Sequence, residues 1–454
     1  MKRFVSRSGS GIYLSWRTLM KLLSTLLRRF VQRGTLRVFD ATGQLHTFSG
    51  MPSEPAVTIR LHNKSLYTKL FFNPELYVGE AYMNGELTFE EGSTCFDLLN
   101  LFSNNRTGLT GHPIQTMLRH SWRWLRRLHQ HNPIGKALKN ASHHYDLSDD
   151  FYRLFLDEDM QYTCAYYRSP DDTLEQAQLN KKRHVCAKLK IEDGMKIAEL
   201  GCGWGGLALH IAQTADVEVT AVNLSIEQIR VARERARKLG LENRVRFEHM
   251  DYRDLQGTYD RVVSVGMLEH VGVGHYDEFF RKFRSLLKED GIGLVHSIGR
   301  NAPPGTASPF VRKYIFPGGY APSLSEIFAP AERQRIWIAD CEILRLHYYY
   351  TLRDWRERFM ANWDKAAAIY DERMCRMWEF YLISAQLAFL TGSEMVFHLV
   401  LANKRDAVPI VRDYMVDDER AAEQIRSPIS KIGSGPHVDF SRSIVTEKSP
   451  LKTS

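Results

Sequence analysis

Residues 195–299 alternate between two hydrophobic patterns, and this alternation predicts a layered α/β fold. Short, continuous apolar runs, typical of strands buried on both faces, occur in "MKIAELG", "VEVTAVNL", "YDRVVSVGM" and "IGLVHSIG". Between them, "IEQIRVARERARKLG" and "HYDEFFRKFRSLLKEDG" repeat apolar residues at helical spacing. Strands that alternate with helices in this way predict a doubly wound, mostly parallel sheet.

The N-terminal part of the chain predicts a smaller, separate unit. Residues 16–33 place Leu and Phe side chains on one helical face, with Lys and Arg around it. Such a helix either packs on its own domain, which we favour, or lies on anionic lipid. Alternating runs separated by Gly and Pro turns follow over residues 35–89, and they predict a small α+β domain.

These patterns divide the chain into three parts. We predict an N-terminal helix plus a small α+β accessory domain over residues 1–130 and an α/β domain over residues 131–405. Beyond Asp406 the apolar periodicity is lost, and Ser, Pro and charged residues increase. We therefore predict a disordered tail over residues 406–454. The helix predicted at 374–390 is interpreted as a core helix rather than a wall of an acyl-chain pocket.

The chain of 454 residues carries a net charge of +8, which favours anionic partners. Residues 117–133, "MLRHSWRWLRRLHQHNP", combine Arg with Trp, as expected of membrane-headgroup contact or of a solvated linker helix. No nucleic-acid-binding motif accompanies the segment, so we predict no nucleic-acid partner. We identify no membrane-spanning run, signal peptide or CxxC pair. We expect a cytoplasmic protein with free thiols and no metal site, peripheral on the inner face of an anionic membrane.

A glycine-rich loop, "AELGCGWGG" (198–206), lies between the first strand of the predicted sheet and its helix. Gly201, Gly203 and Gly206 satisfy the pattern GxGxxG, which lets backbone N–H groups approach a ligand closely. The pattern suits a dinucleotide or S-adenosylmethionine, and a glycine turn needed only for helix–strand packing is the remaining alternative.

Polar residues at the strand ends favour S-adenosylmethionine over a dinucleotide. A dinucleotide site usually has an acid at the end of the second strand, where this chain has Asn223, which can donate to ribose oxygens. Glu199, at the tip of the first strand, can hold the ammonium of a methionine-like ligand. After the third strand, Asp251 can accept from the adenine amino group and Tyr252 can stack on its ring.

A second carboxylate also follows a strand. Glu269, in "LEHVG", comes directly after the apolar run 262–266, at the sheet edge where ligands of this architecture bind. The chain shows no obvious nucleophile for it to activate. Taken alone, Glu269 could equally cap the next helix.

Seven strings, in this order along the chain, resemble the cyclopropane-fatty-acyl-phospholipid synthase family. The likeness runs from about Leu76 to Lys404, and the joint occurrence of the strings is far more specific than each one alone. The strings are "HYDLSDDFY", "QYTCAYY", "ELGCGWGGLA", "YDRVVSVGMLEHVG", "LVHSIG", "KYIFPGG" and "HYYYTLRDW".

The resemblance implies a Rossmann-like class I methyltransferase fold for the α/β domain, and a lipid-facing accessory domain. It implies transfer of a methyl group from S-adenosylmethionine to a cis double bond of an unsaturated phospholipid acyl chain, followed by ring closure with bicarbonate as base. The implied catalytic positions are Cys164, Glu269, His296, the backbone of Ile298, and Tyr348. The cofactor-binding positions are Tyr162, Thr163, Glu199, Gly201, Cys202, Gly203, Trp204, Gly205, Gly206, Asn223, Leu224, Gln228, Asp251, Tyr252 and Arg253.

The chain departs from the family pattern at a few positions. Glu199 stands where Asp is more usual, Asn223 replaces a common Thr, and an extra Tyr accompanies the spacing that selects Tyr348. Two other functions stay open: methylation of unsaturated acyl chains without ring closure, giving a branched or methylene product, and non-catalytic lipid binding. A homodimer is expected from the resemblance alone.

Overall fold

The computed structural model describes residues 16–106 and 147–424. The first stretch contains four helices and four strands, which alternate as the sequence predicts for a small α+β unit. In chain order they are α1 (Trp16–Phe30), β1 (Arg33–Phe39), β2 (Leu45–Ser49), β3 (Met51–Leu61), α2 (Leu66–Phe72), α3 (Pro74–Met83), β4 (Leu87–Glu90) and α4 (Cys95–Asn104).

The second described stretch contains seven strands and twelve helices, together with one turn of 3-10 helix (Val273–His275). In chain order they are α5 (Asp149–Tyr152), α6 (Leu174–Leu189), β5 (Lys196–Leu200), α7 (Gly206–Thr214), β6 (Glu218–Asn223), α8 (Ile226–Lys238), β7 (Val245–His249), β8 (Tyr259–Val265), α9 (Leu268–Val271), α10 (Tyr276–Leu286), β9 (Leu287–Arg300), α11 (Pro309–Tyr314), α12 (Leu324–Arg333), β10 (Trp337–Leu344), α13 (His347–Ala361), α14 (Trp363–Ile369), α15 (Glu372–Leu390), β11 (Glu394–Ala402) and α16 (Asp413–Gln424).

The chain forms two compact units, whose division differs from the one predicted. The smaller unit contains the N-terminal region together with Ser308–Ile315 and Ala367–Leu387, two segments that we had assigned to the α/β domain. Both segments pack by apolar contact within this unit, since the Phe310 ring lies 4.6 Å from the Phe380 ring. The predicted boundary at residue 130 lies outside the described residues, as does the Arg- and Trp-rich segment 117–133.

The smaller unit is a four-stranded mixed sheet in the order β2-β1-β3-β4. Helix α1 buries Met20, Leu23, Leu26 and Phe30 within it, because these residues recur on one helical face. The structure therefore confirms the prediction that α1 packs on its own domain. In α15, apolar side chains such as Trp378 are also buried, as expected of a core helix.

The larger unit is the predicted doubly wound sheet, and the Rossmann-like fold is confirmed. Its strand order is β10-β11-β9-β8-β5-β6-β7, with β5 to β9 parallel to one another and β11 antiparallel to both of its neighbours, β9 and β10. Neighbouring residues on β8, Val262 and Val263, belong to separate apolar clusters on the two faces of the sheet. This double burial explains the continuous apolar runs.

The strand order reverses around β5, because the chain passes from β5 to β6 on one side and later to β8 on the other. Ligands of such sheets bind at the carboxyl edge where the order reverses. The loops after β5, β6 and β8 meet there. One boundary differs from prediction: α10 ends at Leu286 rather than near Gly291, because Leu287 already pairs with Tyr259 in the sheet.

The predicted disordered tail is wrong for its first part. Residues Asp413–Gln424 form α16, which packs on α6 through buried Met415 and a hydrogen bond of 3.3 Å from the Tyr414 hydroxyl to the Lys188 carbonyl. Tertiary contact, rather than local periodicity, orders this helix. Residues 425–454 lie outside the described residues. In the described part of the chain, no helix is long and apolar enough to cross a membrane.

Candidate active site

A cavity of about 180 Å³ opens at the carboxyl edge of the parallel strands. Residues from the ends of β5, β6 and β8, and from the loop after β7, line it. Thirteen of the fifteen predicted cofactor-binding residues are among them: Tyr162, Thr163, Glu199, Gly201, Cys202, Gly203, Trp204, Asn223, Leu224, Gln228, Asp251, Tyr252 and Arg253.

The other two, Gly205 and Gly206, do not line the cavity, and packing explains them better. Gly205 caps α7 in the left-handed region (φ +82°), and a Cβ there would lie 2.6 Å from the Phe247 ring. A Cβ on Gly206 would lie 2.2 Å from the side-chain nitrogen of Gln161. Both glycines are required for close approach of neighbouring segments, and their contact with the cofactor stays a prediction.

Glu199 presents a buried carboxylate to this cavity. Its Oε2 atom has no hydrogen-bond partner among the described residues, and burial raises the pKa of the carboxyl group to about 7. A buried carboxylate oxygen without a donor is costly, and an ammonium group would satisfy it. The α-ammonium of S-adenosylmethionine has this chemistry, so the residues present fit that cofactor.

Two predicted contacts with the cofactor are already used by the protein. The Asn223 amide donates to Gln228 Oε1 at 2.7 Å and to the Gly203 carbonyl at 3.4 Å, so both of its donors are engaged within the protein. Arg253 forms a two-pronged ion pair with Asp251, at 2.9 and 2.7 Å. The Asp251 carboxylate keeps further acceptor sites, although its main partner is Arg253.

The segment that carries Tyr162, Thr163 and Cys164 lies beside the end of β8. A Cβ on Gly266 would lie 2.7 Å from the Thr163 methyl carbon, which shows how close the two segments are. Lys181, on α6, is buried and donates to Gln161 Oε1 at 2.7 Å and to Thr163 Oγ1 at 2.8 Å. Lys181 therefore holds this segment in place.

Glu269 does not act as a helix cap. It lies on α9, directly after β8, and its Oε1 accepts a hydrogen bond of 2.6 Å from the Ile298 amide. Its Oε2 is buried without a hydrogen-bond partner in the described part of the chain, and burial raises the pKa of the carboxyl group to about 7. The backbone of Ile298, one of the implied catalytic positions, thus donates to Glu269 in this structure.

His296 lies two residues before Ile298 on β9, where it pairs with Val265 of β8. Its ring is buried, and its Nδ1 lies 2.7 Å from Nε2 of His398. Burial holds the pKa of His296 well below its ordinary value, so the imidazole is neutral. Glu269, His296 and Ile298 are thus gathered at the ends of two adjacent strands.

Cys164 and Tyr348 are both connected to α13, the helix His347–Ala361. Cys164 is buried, which raises the pKa of its thiol, and the next amide donates to Thr351 on α13 at 3.0 Å. Tyr348, on the first turn of α13, has its ring 5.8 Å from that of Trp355, which in turn stacks on Tyr162 at 5.1 Å. These contacts connect α13 with the cofactor-binding segment.

Several cavity-lining residues were missed by the sequence analysis. Lys181 gave no local signal, because a lysine in an amphipathic helix is usually exposed. His270 lines the cavity with its ring 5.6 Å from the Phe316 ring, and burial lowers its pKa to about 4, so it is neutral. His270 lies within one of the strings that carry the family resemblance, and that was the available signal.

The fold and this cavity define the class of S-adenosylmethionine-dependent methyltransferases with a Rossmann-like sheet. The model of the mycolic acid cyclopropane synthetase family matches residues 133–399. The chain belongs to this family of cyclopropane synthases.

Curated relatives extend the similarity beyond the α/β unit. A cyclopropane-fatty-acyl-phospholipid synthase of Escherichia coli K12 is 36% identical over 355 residues, covering 77% of this chain and 88% of the relative. A probable fatty acid methyltransferase of Pseudomonas putida is 41% identical over 62% of this chain and 72% of the relative. The tuberculostearic acid methyltransferase UfaA1 of Mycobacterium tuberculosis is 32% identical over 84% of this chain and 90% of its own length.

Similarity to solved structures supports the same family assignment. The cyclopropane synthase MmaA2 of Mycobacterium tuberculosis superposes with a TM-score of 0.57 and 29% identity, covering 60% of this chain and 99% of that one. The mycolic acid cyclopropane synthase CmaA1, solved in complex with SAH and CTAB, has a TM-score of 0.56 and 31% identity over the same shares.

Proposed function

We propose that this protein transfers the methyl group of S-adenosylmethionine to a cis double bond of an unsaturated acyl chain in a membrane phospholipid, and then closes a cyclopropane ring with bicarbonate as the base. One structural observation carries the second step. Glu269 offers a buried carboxylate oxygen that no described residue hydrogen-bonds, at the strand ends that hold His296. The name of the Escherichia coli relative, a cyclopropane-fatty-acyl-phospholipid synthase, supports cyclopropane formation on a phospholipid acyl chain.

Methyl transfer to an alkene makes few demands for acid–base catalysis. The alkene has no proton to lose beforehand, and bound S-adenosylmethionine supplies a strongly electrophilic methyl group. The protein must therefore align the two reactants and exclude water. Glu199 and the glycine loop fit the cofactor, and the ring of Tyr162, which lines the cavity, offers a π face to the positive charge that develops on the acyl chain.

Ring closure requires a base near the added methyl group, and bicarbonate, when bound, would supply it. Glu269 Oε2 would accept the hydrogen bond of the anion's hydroxyl group, and His296 and Tyr348 would donate to its oxygens. Cys164 contributes a neutral thiol, because burial raises its pKa. When a C–H bond of the new methyl group breaks, its electron pair closes the ring and the proton leaves with the base, so atoms and charge balance.

The second candidate is methylation without ring closure, which the similarity to a tuberculostearic acid methyltransferase favours. Proton NMR of lipids extracted after expression in a host without cyclopropane lipids separates the two. Ring protons at high field are expected for a cyclopropane, and exocyclic olefinic protons for a methylene product. Unmodified lipid, together with no calorimetric binding of S-adenosylmethionine, would support a non-catalytic lipid-binding protein instead.

The surrounding partners complete the proposal. We place the enzyme on the inner, cytoplasmic face of the membrane, peripherally bound to anionic phospholipid through its accessory unit, and as a homodimer. The net charge of +8 supports the attraction to anionic lipid. Sedimentation with vesicles of neutral or anionic phospholipid tests this, and equal binding to both would contradict it. Light scattering tests the dimer.

A further inference from the structure

A buried chain of polar side chains leads away from His296 inside the larger unit. His296 on β9 and His398 on β11 are directly paired in the sheet, and Lys188 on α6 contacts both His398 and Glu342 of β10. His184, one turn earlier on α6, bonds the same carboxylate at 2.7 Å. His296, His398 and Lys188 are each at most 2% exposed.

This cluster resembles a metal site by composition, but an ammonium group already serves as its cation. Ligand atoms of His184, Glu342 and His398 lie within 4.8 Å of one another. Lys188 Nζ bonds the Glu342 carboxylate and lies 3.0 Å from Nδ1 of His398. A lysine so placed repels a metal cation and satisfies the same acceptors, so the cluster has another use.

The direction of each hydrogen bond follows from the lysine. An ammonium group has three donors and no acceptor, so Nδ1 of His398 must accept from Lys188. A neutral His398 then carries its hydrogen on Nε2 and donates it, over 2.7 Å, to Nδ1 of His296. A neutral His296 must in turn carry its own hydrogen on Nε2. The lysine thus sets the tautomers of both rings.

The charges required by this scheme are consistent with the surroundings. Burial lowers the pKa of Lys188, and the Glu342 carboxylate, to which Lys188 donates, opposes that shift and favours the ammonium form. Burial alone would raise the pKa of Glu342, but hydrogen bonds from His184 and Lys188 hold it well below its usual range. Burial lowers the pKa values of His296 and His398, so both rings are neutral.

We propose that Lys188 and His398 are positioning residues, which fix His296 as an Nε2–H donor toward the anion of the proposed active site. The inference rests on the proposed function for its purpose, since an Nε2–H group stabilises an anion that a bare imidazole nitrogen would repel. The tautomer itself does not depend on any bound ligand. The predicted tautomer of His296 and the proposed function of the protein can therefore be refuted independently of each other.

The tautomer is tested by long-range proton–nitrogen correlation NMR on the full-length protein with ¹⁵N-labelled histidine. The signals of His296 are assigned by their loss in His296→Asn. We expect the Nε2–H form in the wild type. The Nδ1–H form, or an imidazolium, would overturn the proposal whatever the enzyme's activity proves to be.

A charge-balanced variant tests the role of the lysine. Lys188→Met combined with Glu342→Gln removes the ammonium and the carboxylate together, which limits the loss of stability. We expect His296 to lose its single tautomer and the rate of lipid methylation or ring closure to fall at least about tenfold, with unchanged affinity for S-adenosylmethionine. An unchanged His296 spectrum in this variant would refute the proposal.

The matched control is Lys182→Met on the same helix. The Lys182 ammonium bonds Asp159 at 2.6 Å, away from the histidines, so its loss should leave the His296 tautomer as in the wild type. A change in this control as large as in the double variant would mean that packing of α6, rather than the Lys188 ammonium, controls His296. If the double variant does not fold, the wild-type spectrum still tests the proposal, because an Nδ1–H or imidazolium form of His296 would overturn it.

Discussion

Replacing Glu269 by Gln changes one buried atom of the proposed base site. The Ile298 amide nitrogen donates to Glu269 Oε1 over 2.6 Å and requires an acceptor there. The side-chain oxygen of the introduced glutamine would therefore stay at the Oε1 position. The new NH₂ group would then replace Oε2, which accepts from no described residue. An acceptor for the hydroxyl of bicarbonate would become a donor that faces it.

The magnitude follows from the hydrogen bond that is lost. A hydrogen bond to a charged group contributes about 1.5–3 kcal/mol. Since about 1.4 kcal/mol corresponds to a factor of ten, we expect kcat to fall by roughly 10- to 150-fold. The affinity for S-adenosylmethionine should change less than about twofold, because Glu269 is not among the residues that line the cofactor cavity.

The assay measures S-adenosylhomocysteine release with vesicles of unsaturated phospholipid, at fixed bicarbonate concentration and from about pH 6 to about pH 8. Burial raises the pKa of Glu269 to about 7, so wild-type kcat should fall as the pH decreases below about 7, when the carboxylate is protonated. His296 stays neutral over this range. The variant should lose the step near pH 7. Full turnover by Glu269→Gln, with the cofactor still bound, would refute the role of this carboxylate.

Three other predictions test separate parts of the structure. Burial raises the pKa of Glu199 to about 7, and binding of an ammonium group favours the ionised form of this carboxyl group. The affinity for S-adenosylmethionine should therefore fall by up to about tenfold for each pH unit below pH 7. Calorimetry should show this pH dependence in the wild type and its loss in Glu199→Gln. Tyr348→Phe keeps the ring contacts and removes the hydroxyl, so kcat should fall at least about tenfold while the melting temperature stays the same; an unchanged kcat would exclude the hydroxyl as a donor. Gly205→Ala should lower the free energy of unfolding, measured in urea, by about 1–3 kcal/mol more than Gly240→Ala does. Both glycines have positive φ, but only a Cβ at Gly205 would overlap the Phe247 ring. Equal losses of stability would contradict the packing explanation.

Strand ends were the part of the site that the sequence predicted best. Glu199 and Glu269 each accompany the end of a continuous apolar run, and parallel strands bring their carboxyl ends to one edge of the sheet. Gly205 and Gly206 belong to the same glycine loop, yet they serve packing against Phe247 and Gln161. A motif therefore located the loop without separating ligand contact from close packing.

Local sequence patterns could not predict which residues the polar side chains of the site would hydrogen-bond. Asn223 and Asp251 carry suitable groups for a nucleoside, but Gln228 and Arg253 already occupy part of their capacity. The link from Lys188 to His296 runs through His398, which lies 210 positions from the lysine and 102 from the other histidine. Its members show no spacing in the sequence that would connect them.

The sequence by itself determined the alternation of strands and helices, the glycine loop and the position of carboxylates at strand ends, because these depend on neighbouring residues and on the period of the backbone. Only the tertiary structure decided which donors meet which acceptors. Burial then raised the pKa of Glu199 and Glu269 and depressed that of His296, because desolvation depends on everything packed around a group. The helix Asp413–Gln424 also depends on tertiary structure, because its contacts with α6 stabilise it although its own sequence pattern did not predict a helix.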